Sequence, residues 1–142
     1  MYGIEKAYIA EIIVKNSKFI SILRPFNDDD DINEVINEYK NKYKGASHYT
    51  YSYKTMKKHY SNDDGEPSMT AGIPILEELN KNDLQNVLCI VVRYFGGVKL
   101  GFGGLRRAYK EAAKEAILKS EIKKIIPSII TIFLLNIKTQ VQ

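Results

Sequence analysis

Between Val87 and Tyr109 the chain reads VLCIVVRYFGGVKLGFGGLRRAY, and this stretch limits the possible folds more than any other. Val87 to Val92 is an unbroken run of apolar, mostly β-branched side chains, the pattern of a strand covered on both faces. Such a strand belongs in the middle of a sheet. After Arg93-Tyr94-Phe95 come five glycines within nine residues, Gly96, Gly97, Gly101, Gly103 and Gly104, and then a helix from Leu105 to about Lys119. Glycine admits positive φ and close approach of another backbone or a ligand, at an entropic cost that a plain surface loop has no reason to bear. Set before a helix N-terminus, the loop aims free N–H groups and the positive end of the helix dipole at one spot, an arrangement suited to phosphate.

With 142 residues, 44% apolar and 27% charged, the chain suffices for one soluble domain with a real core. Its one cysteine, Cys89, sits inside the apolar strand, which leaves no intrachain disulfide and no cysteine-based metal site. No apolar run precedes a cleavage site at the N-terminus, so a cytoplasmic protein is expected. Ile125 to Ile137 is apolar but interrupted by Pro127, Ser128, Thr131 and Asn136, and is too short for a membrane-spanning helix. The net charge of +4 is unevenly spread. Asp28 to Glu38 carries six acids and no base. Lys40 to Tyr60 carries six lysines and no acid, with five tyrosines interleaved, and Arg93 to Lys124 carries nine bases against three acids. Segregation of this kind favours a polyanionic partner, although solvated lysine-rich faces give the same pattern.

Tyr8 to Lys15 and Phe19 to Arg24 read as a hairpin around a polar turn. Asp31, with Glu34 three residues on, reads as the cap of a helix whose buried stripe is Ile32, Val35, Ile36, Tyr39 and Tyr43. Ala46 to Lys54 alternates, with Ser47, Tyr49, Tyr51 and Tyr53 on one face and His48, Thr50, Ser52 and Lys54 on the other. The tyrosines read first as a packed layer against a helix, with a base-stacking platform as the alternative. His48 reads as a structurally hydrogen-bonded histidine. Ser61 to Ser68 is dense in turn residues. Its Asp63, Asp64 and Glu66 suit a magnesium site or acid–base work, yet they equally suit a turn whose carboxylates bind local N–H groups, and no nucleophile stands nearby. Thr70 to Pro74 opens the next helix, with Ile75, Leu76 and Leu79 inward. Leu105, Ala108, Tyr109, Ala112, Ala113 and Ala116 form the core face of the last helix. Arg106, Lys110 and Lys114 form a basic row on another face.

Asp63-Asp64-Gly65-Glu66-Pro67-Ser68, Thr70-Ala71-Gly72 and Pro74-Ile75-Leu76 form one long motif. Arg93-Tyr94-Phe95-Gly96-Gly97, Lys99-Leu100-Gly101, Gly103-Gly104-Leu105 and Arg107-Ala108-Tyr109 form a second. With Ser17-Lys18-Phe19 and Ala46-Ser47-His48, they resemble the signature of the IMPACT (YigZ) family over about residues 1 to 125. The resemblance implies an α/β (α+β) fold like domain two of ribosomal protein S five and domain IV of elongation factor G. That fold is a two-layer sandwich with a mixed β-sheet and helices on one face. It also implies a tie to regulation of translation, known in eukaryotic members through a stress-response pathway, and nucleic-acid or ribosome association in bacterial ones. Two departures stand out. Met69 occupies a position where the family usually has glycine. Residues 126–142 form a tail where bacterial relatives continue into a small ferredoxin-like domain, so Ser128 to Gln142 reads as its first strand cut short or as an unrelated tail.

The residues and the resemblance together point to a non-catalytic module that binds RNA or a ribosome-associated surface. Arg93, Lys99, Arg106, Arg107 and Lys110 would meet phosphates, with Gly96, Gly97, Gly101, Gly103 and Gly104 admitting them closely. His48, Asp63, Asp64, Glu66 and Thr70 mark a second candidate site. No catalytic group, metal or cofactor is assigned. The alternative is an enzyme acting on a nucleotide or phosphorylated small molecule, although the glycine spacing is not that of a Walker A loop. A third reading has the glycines serving the fold alone, with a protein partner bound elsewhere. The oligomeric state is left open.

Overall fold

The apolar run is the third strand of a five-stranded sheet, hydrogen-bonded on both sides, in a computed structural model that describes residues 1–126. The strands are β2 (Tyr8–Val14), β3 (Ser17–Pro25), β4 (His48–Lys54), β5 (His59–Asn62) and β6 (Val87–Tyr94), in the order β2-β3-β6-β4-β5. Two further short strands, β1 (Tyr2–Gly3) and β7 (Lys123–Lys124), pair with each other and bring the chain's start beside the end of the described segment. The expected strand at the start of the tail lies in residues 127–142, outside the described residues.

Every side chain from Val87 to Val92 is fully buried, as its composition requires. Val87, Cys89 and Val91 join a core with α2 (Gly72–Lys81) and α3 (Gly101–Lys119), contributed by Ile75, Leu79, Ala108, Ala112 and Ala113 among others. Leu88, Ile90 and Val92 face the other way, toward Ile36 and Tyr39 of α1 (Ile32–Lys42) and the rings of Tyr51 and Tyr53. The α+β architecture implied by the resemblance is therefore present, and two details sharpen it. All pairings in the sheet are antiparallel, so it is not mixed, and helices cover both faces instead of one. A strand apolar at every position needs two covers, and α1 with the tyrosine layer supplies the second.

Local chemistry explains the turns. Tyr8 to Val14 pairs residue for residue with Ser17 to Leu23, leaving Lys15 and Asn16 as a two-residue loop with φ of 45° and 67°. This backbone twists with the strands that it joins. Asp31 caps α1, its side chain accepting from the N–H groups of Asn33 and Glu34. Tyr51 and Tyr53 are buried in the second core, so the tyrosine layer packs as expected, while Tyr60 remains half exposed beside them. The glycine-rich segment is only partly a loop. The helix begins at Gly101, not Leu105, so Gly101, Gly103 and Gly104 belong to its first turn.

Candidate functional site

Sheet register sets the base of the site. His48 on β4 is the direct partner of Arg93 on β6, and Phe19 on β3 pairs with Arg93 from the other side. Tyr109 descends onto this row from α3, its ring edge-on to Phe19 with centroids 5.1 Å apart. Glu66 arrives from the turn between β5 and α2. Its carboxylate accepts from Arg93 Nη1 at 3.0 Å and 2.8 Å and from the Tyr109 hydroxyl. His48 Nδ1 lies 2.7 Å from the Asp64 carbonyl oxygen, which only accepts, so Nδ1 carries a hydrogen. Its Nε2 lies 3.3 Å from Glu66 Oε1.

Arg93 and Glu66 are 5% and 8% exposed, so this is a buried ion pair. Removing either partner alone from such a pair costs about 3–5 kcal/mol, because the other charge is left without compensation. Arg93 also donates from Nη2 to Ser17 Oγ at 3.3 Å, while its buried Nε has no partner among the described residues. Burial, and next the charge of Glu66, push the Tyr109 phenol well above its ordinary range, so it stays a donor to the carboxylate.

The cluster floors a cleft of about 460 Å³. Its walls are Pro67, Phe95, Leu100, Phe102 and Leu105, with Lys99 and Gly101 also lining it. The two sequence motifs thus converge on one recess. Phe95 and Phe102 are 50% and 59% exposed at its rim, with the Arg93 guanidinium 5.4 Å from the Phe95 ring centroid and that of Arg106 6.0 Å from the Phe102 centroid.

The expected site residues divide. His48 and Glu66 meet Arg93 in the cleft. Asp63 and Asp64 do not join them: Asp63 accepts from the N–H groups of Met69, Ala71 and Gly72, and Asp64 accepts from the N–H of Tyr49. Thr70 is buried, its hydroxyl bonded to the Pro67 carbonyl at 2.5 Å. These three build the turn that delivers Glu66. No group of three His, Cys, Asp or Glu side chains fit to hold a metal occurs among the described residues.

Arg93, expected to meet phosphate, is instead consumed by Glu66. Arg106 is held by Glu77 at 3.2 Å and by the Met69 carbonyl. Gly96 is also spent: its N–H donates to Ser17 Oγ at 3.1 Å, and an added Cβ would stand 2.1 Å from the backbone of Asn16. The hairpin turn packs against it, so its role is close approach within the fold. Gly97 and Gly101 have φ of 88° and 75°, with open space where a Cβ would sit. They turn the chain into α3, whose first turn has no side-chain cap. Gly103 lies under the Arg107 guanidinium, 3.3 Å from where a Cβ would be, and Gly104 packs on Leu100.

Arg107 shares a second recess of about 180 Å³ with Lys15, Val14, Leu100, Gly104, Ala108 and Glu111. Leu100 lines both recesses, so they adjoin. Lys99, Arg107 and Lys110 are exposed. Lys15 is absent from the residues that the sequence marks as a site, because only the hairpin's packing on Gly96 brings that turn to α3.

Fold and cleft together define a small α+β module with a polar-floored, aromatic-rimmed recess beside a basic one. The Impact N-terminal domain model matches residues 15–117, and the chain belongs to the IMPACT family. It is 38% identical over 119 residues to the IMPACT family member YvyE of Bacillus subtilis, covering 82% of this chain and 55% of that protein. An IMPACT family member of Haemophilus influenzae is 35% identical over 126 residues, covering 84% of this chain and 61% of that protein. The chain therefore spans less than two thirds of either relative. A crystal structure described as that of a hypothetical protein superposes with a TM-score of 0.83 at 25% identity, over 89% of this chain and 64% of that one. No helix among the described residues is long and apolar enough to cross a membrane.

Proposed function

We propose that this chain is a non-catalytic module that binds RNA or a ribosome-associated surface through phosphates, in the setting of translational regulation that the family resemblance implies. The observation that carries this reading is the placement of Lys15, Lys99, Arg107 and Lys110. They come from the hairpin turn, the glycine-rich segment and α3, all are exposed, and none forms an ion pair among the described residues. Cations that have no acid of their own are available to phosphate and release counterions on binding. Affinity is then weakly sequence-specific and strongly salt-dependent. Titration of a fluorescent RNA oligomer at low salt tests the proposal, with sedimentation alongside ribosomal subunits as a second arm. Absence of binding in both would end it.

One observation favours a nucleotide-processing enzyme as a second reading: His48 and Glu66 lie together on a cleft, the usual setting for proton transfer. Thermal shift with nucleotides, with and without magnesium, separates the two, since a true small-molecule ligand raises the midpoint with its concentration.

A further inference from the structure

The cleft is badly suited to the phosphate that the glycine motif suggests. Its one guanidinium is neutralised by Glu66, and the carboxylate would repel an incoming anion. The carboxylate is also largely satisfied internally. It accepts from Arg93 Nη1 with both oxygens and from the Tyr109 hydroxyl, which fills most of its roughly four acceptor positions. What the cleft offers a ligand is its apolar wall: Phe95, Leu100, Phe102, Leu105 and Pro67. Its volume falls in the range of about 300–1,000 Å³ typical of sites that enclose a small organic group. Directly beyond Leu100 lies the recess with Lys15 and Arg107, and Lys99 stands at the cleft itself.

A planar ring stacked by its faces inside, with anionic groups a short step outside, describes one nucleotide unit of a single strand. We propose that the cleft takes one unstacked nucleobase of a single-stranded RNA against Phe95 and Phe102, while the flanking phosphates lie across Lys99, Lys15 and Arg107. This rests on the RNA reading above and deepens it. Bases in a duplex are stacked and paired, so they cannot enter; stacking on aromatic side chains is the usual way to hold a splayed base. Because the Glu66 carboxylate already accepts from Arg93 and Tyr109, recognition is mainly by stacking and discriminates weakly among bases.

The test is fluorescence anisotropy with one RNA oligomer in three forms: single-stranded, hybridised to its complement, and carrying abasic residues. Each is measured with the wild-type chain, Phe102→Ala and Phe102→Tyr. The rim ring is exposed, so its truncation leaves the core intact, and an unchanged thermal midpoint checks this. The expected result is preference for the single strand over the duplex and the abasic form. Phe102→Ala should lower single-strand affinity about 5- to 160-fold, with the duplex unaffected and Phe102→Tyr restoring binding. Equal binding of all three forms, unaltered in Phe102→Ala, overturns the base-in-cleft inference while leaving phosphate binding standing. No binding of any form at low salt removes the RNA reading and this inference with it.

Discussion

Arg93 and Glu66, 27 positions apart in the chain, meet as a buried ion pair, with Arg93 Nη1 2.8 Å from Glu66 Oε2. It joins the two motifs and closes the floor of the cleft. Glu66→Ala and Arg93→Ala should each lower the unfolding free energy by roughly 3–5 kcal/mol, since each strands a buried charge. Glu66→Met combined with Arg93→Met should cost clearly less than either single change. Urea unfolding measures all three. A Glu66→Ala cost within about 0.5 kcal/mol of zero, the range of ordinary surface changes, would mean that the pair does not hold the motifs together.

Gly96 and Gly97 are neighbours with different duties. A Cβ on Gly96 meets the Asn16 backbone at 2.1 Å, whereas Gly97 has open space but φ of 88°. Gly96→Ala should therefore cost about 3 kcal/mol, the upper end for overpacking, because it presses on main chain, and Gly97→Ala about 1–2 kcal/mol for the left-handed backbone. Thermal unfolding of the two variants ranks them, and the reverse order would show that the turn does not press on Gly96.

Met69 has a φ of 67° with its side chain 54% exposed. The position calls for glycine because of its backbone. Met69→Gly relieves roughly 1–2 kcal/mol of left-handed strain and gives back about 0.5–1 kcal/mol in chain entropy. A small rise in the thermal midpoint is expected, and a fall would show that the exposed methionine makes a contact of its own.

Burial pushes the Cys89 thiol up to about 12 from 9.0, the hydrogen bond with Ser21 offsetting this only in part. The folded state holds this proton more tightly than the unfolded chain does. Its stabilising contribution is therefore complete below pH 9 and is lost as pH rises toward 12. Tyr109, raised in the same direction, adds to the loss. Urea midpoints should fall on going above pH 9, less steeply in Cys89→Ala. Identical slopes in the two proteins would contradict this account of Cys89.

Much of the framework is legible in the chain because it depends on near neighbours. The unbroken Val87 to Val92 run marks the central strand, Asp31 marks the α1 cap, and Tyr51 and Tyr53 mark a packed face. What cannot be read is pairing across distance. Nothing local in Arg93 reveals that a carboxylate 27 residues earlier takes up its charge, or that Glu77 takes up that of Arg106. The glycines share one composition, yet Gly96 serves packing on Asn16 while Gly97 and Gly101 serve the backbone turn. Lys15 enters the basic recess only through a hairpin turn folded against α3. Phe95 and Phe102 do carry a signal that their glycine neighbours mask: bulky rings inside a glycine-rich segment are seldom there for the backbone.

The most direct measurement is the salt dependence of single-stranded RNA binding by the wild-type chain and by Lys15→Gln combined with Arg107→Gln. The four cations of the proposed surface give an expected slope of log affinity against log salt of about −3, and removing two should reduce its magnitude by about 1.4. Absence of binding at about 50 mM salt, or a slope unchanged in the double variant, would contradict the basic recess as the place where RNA is held.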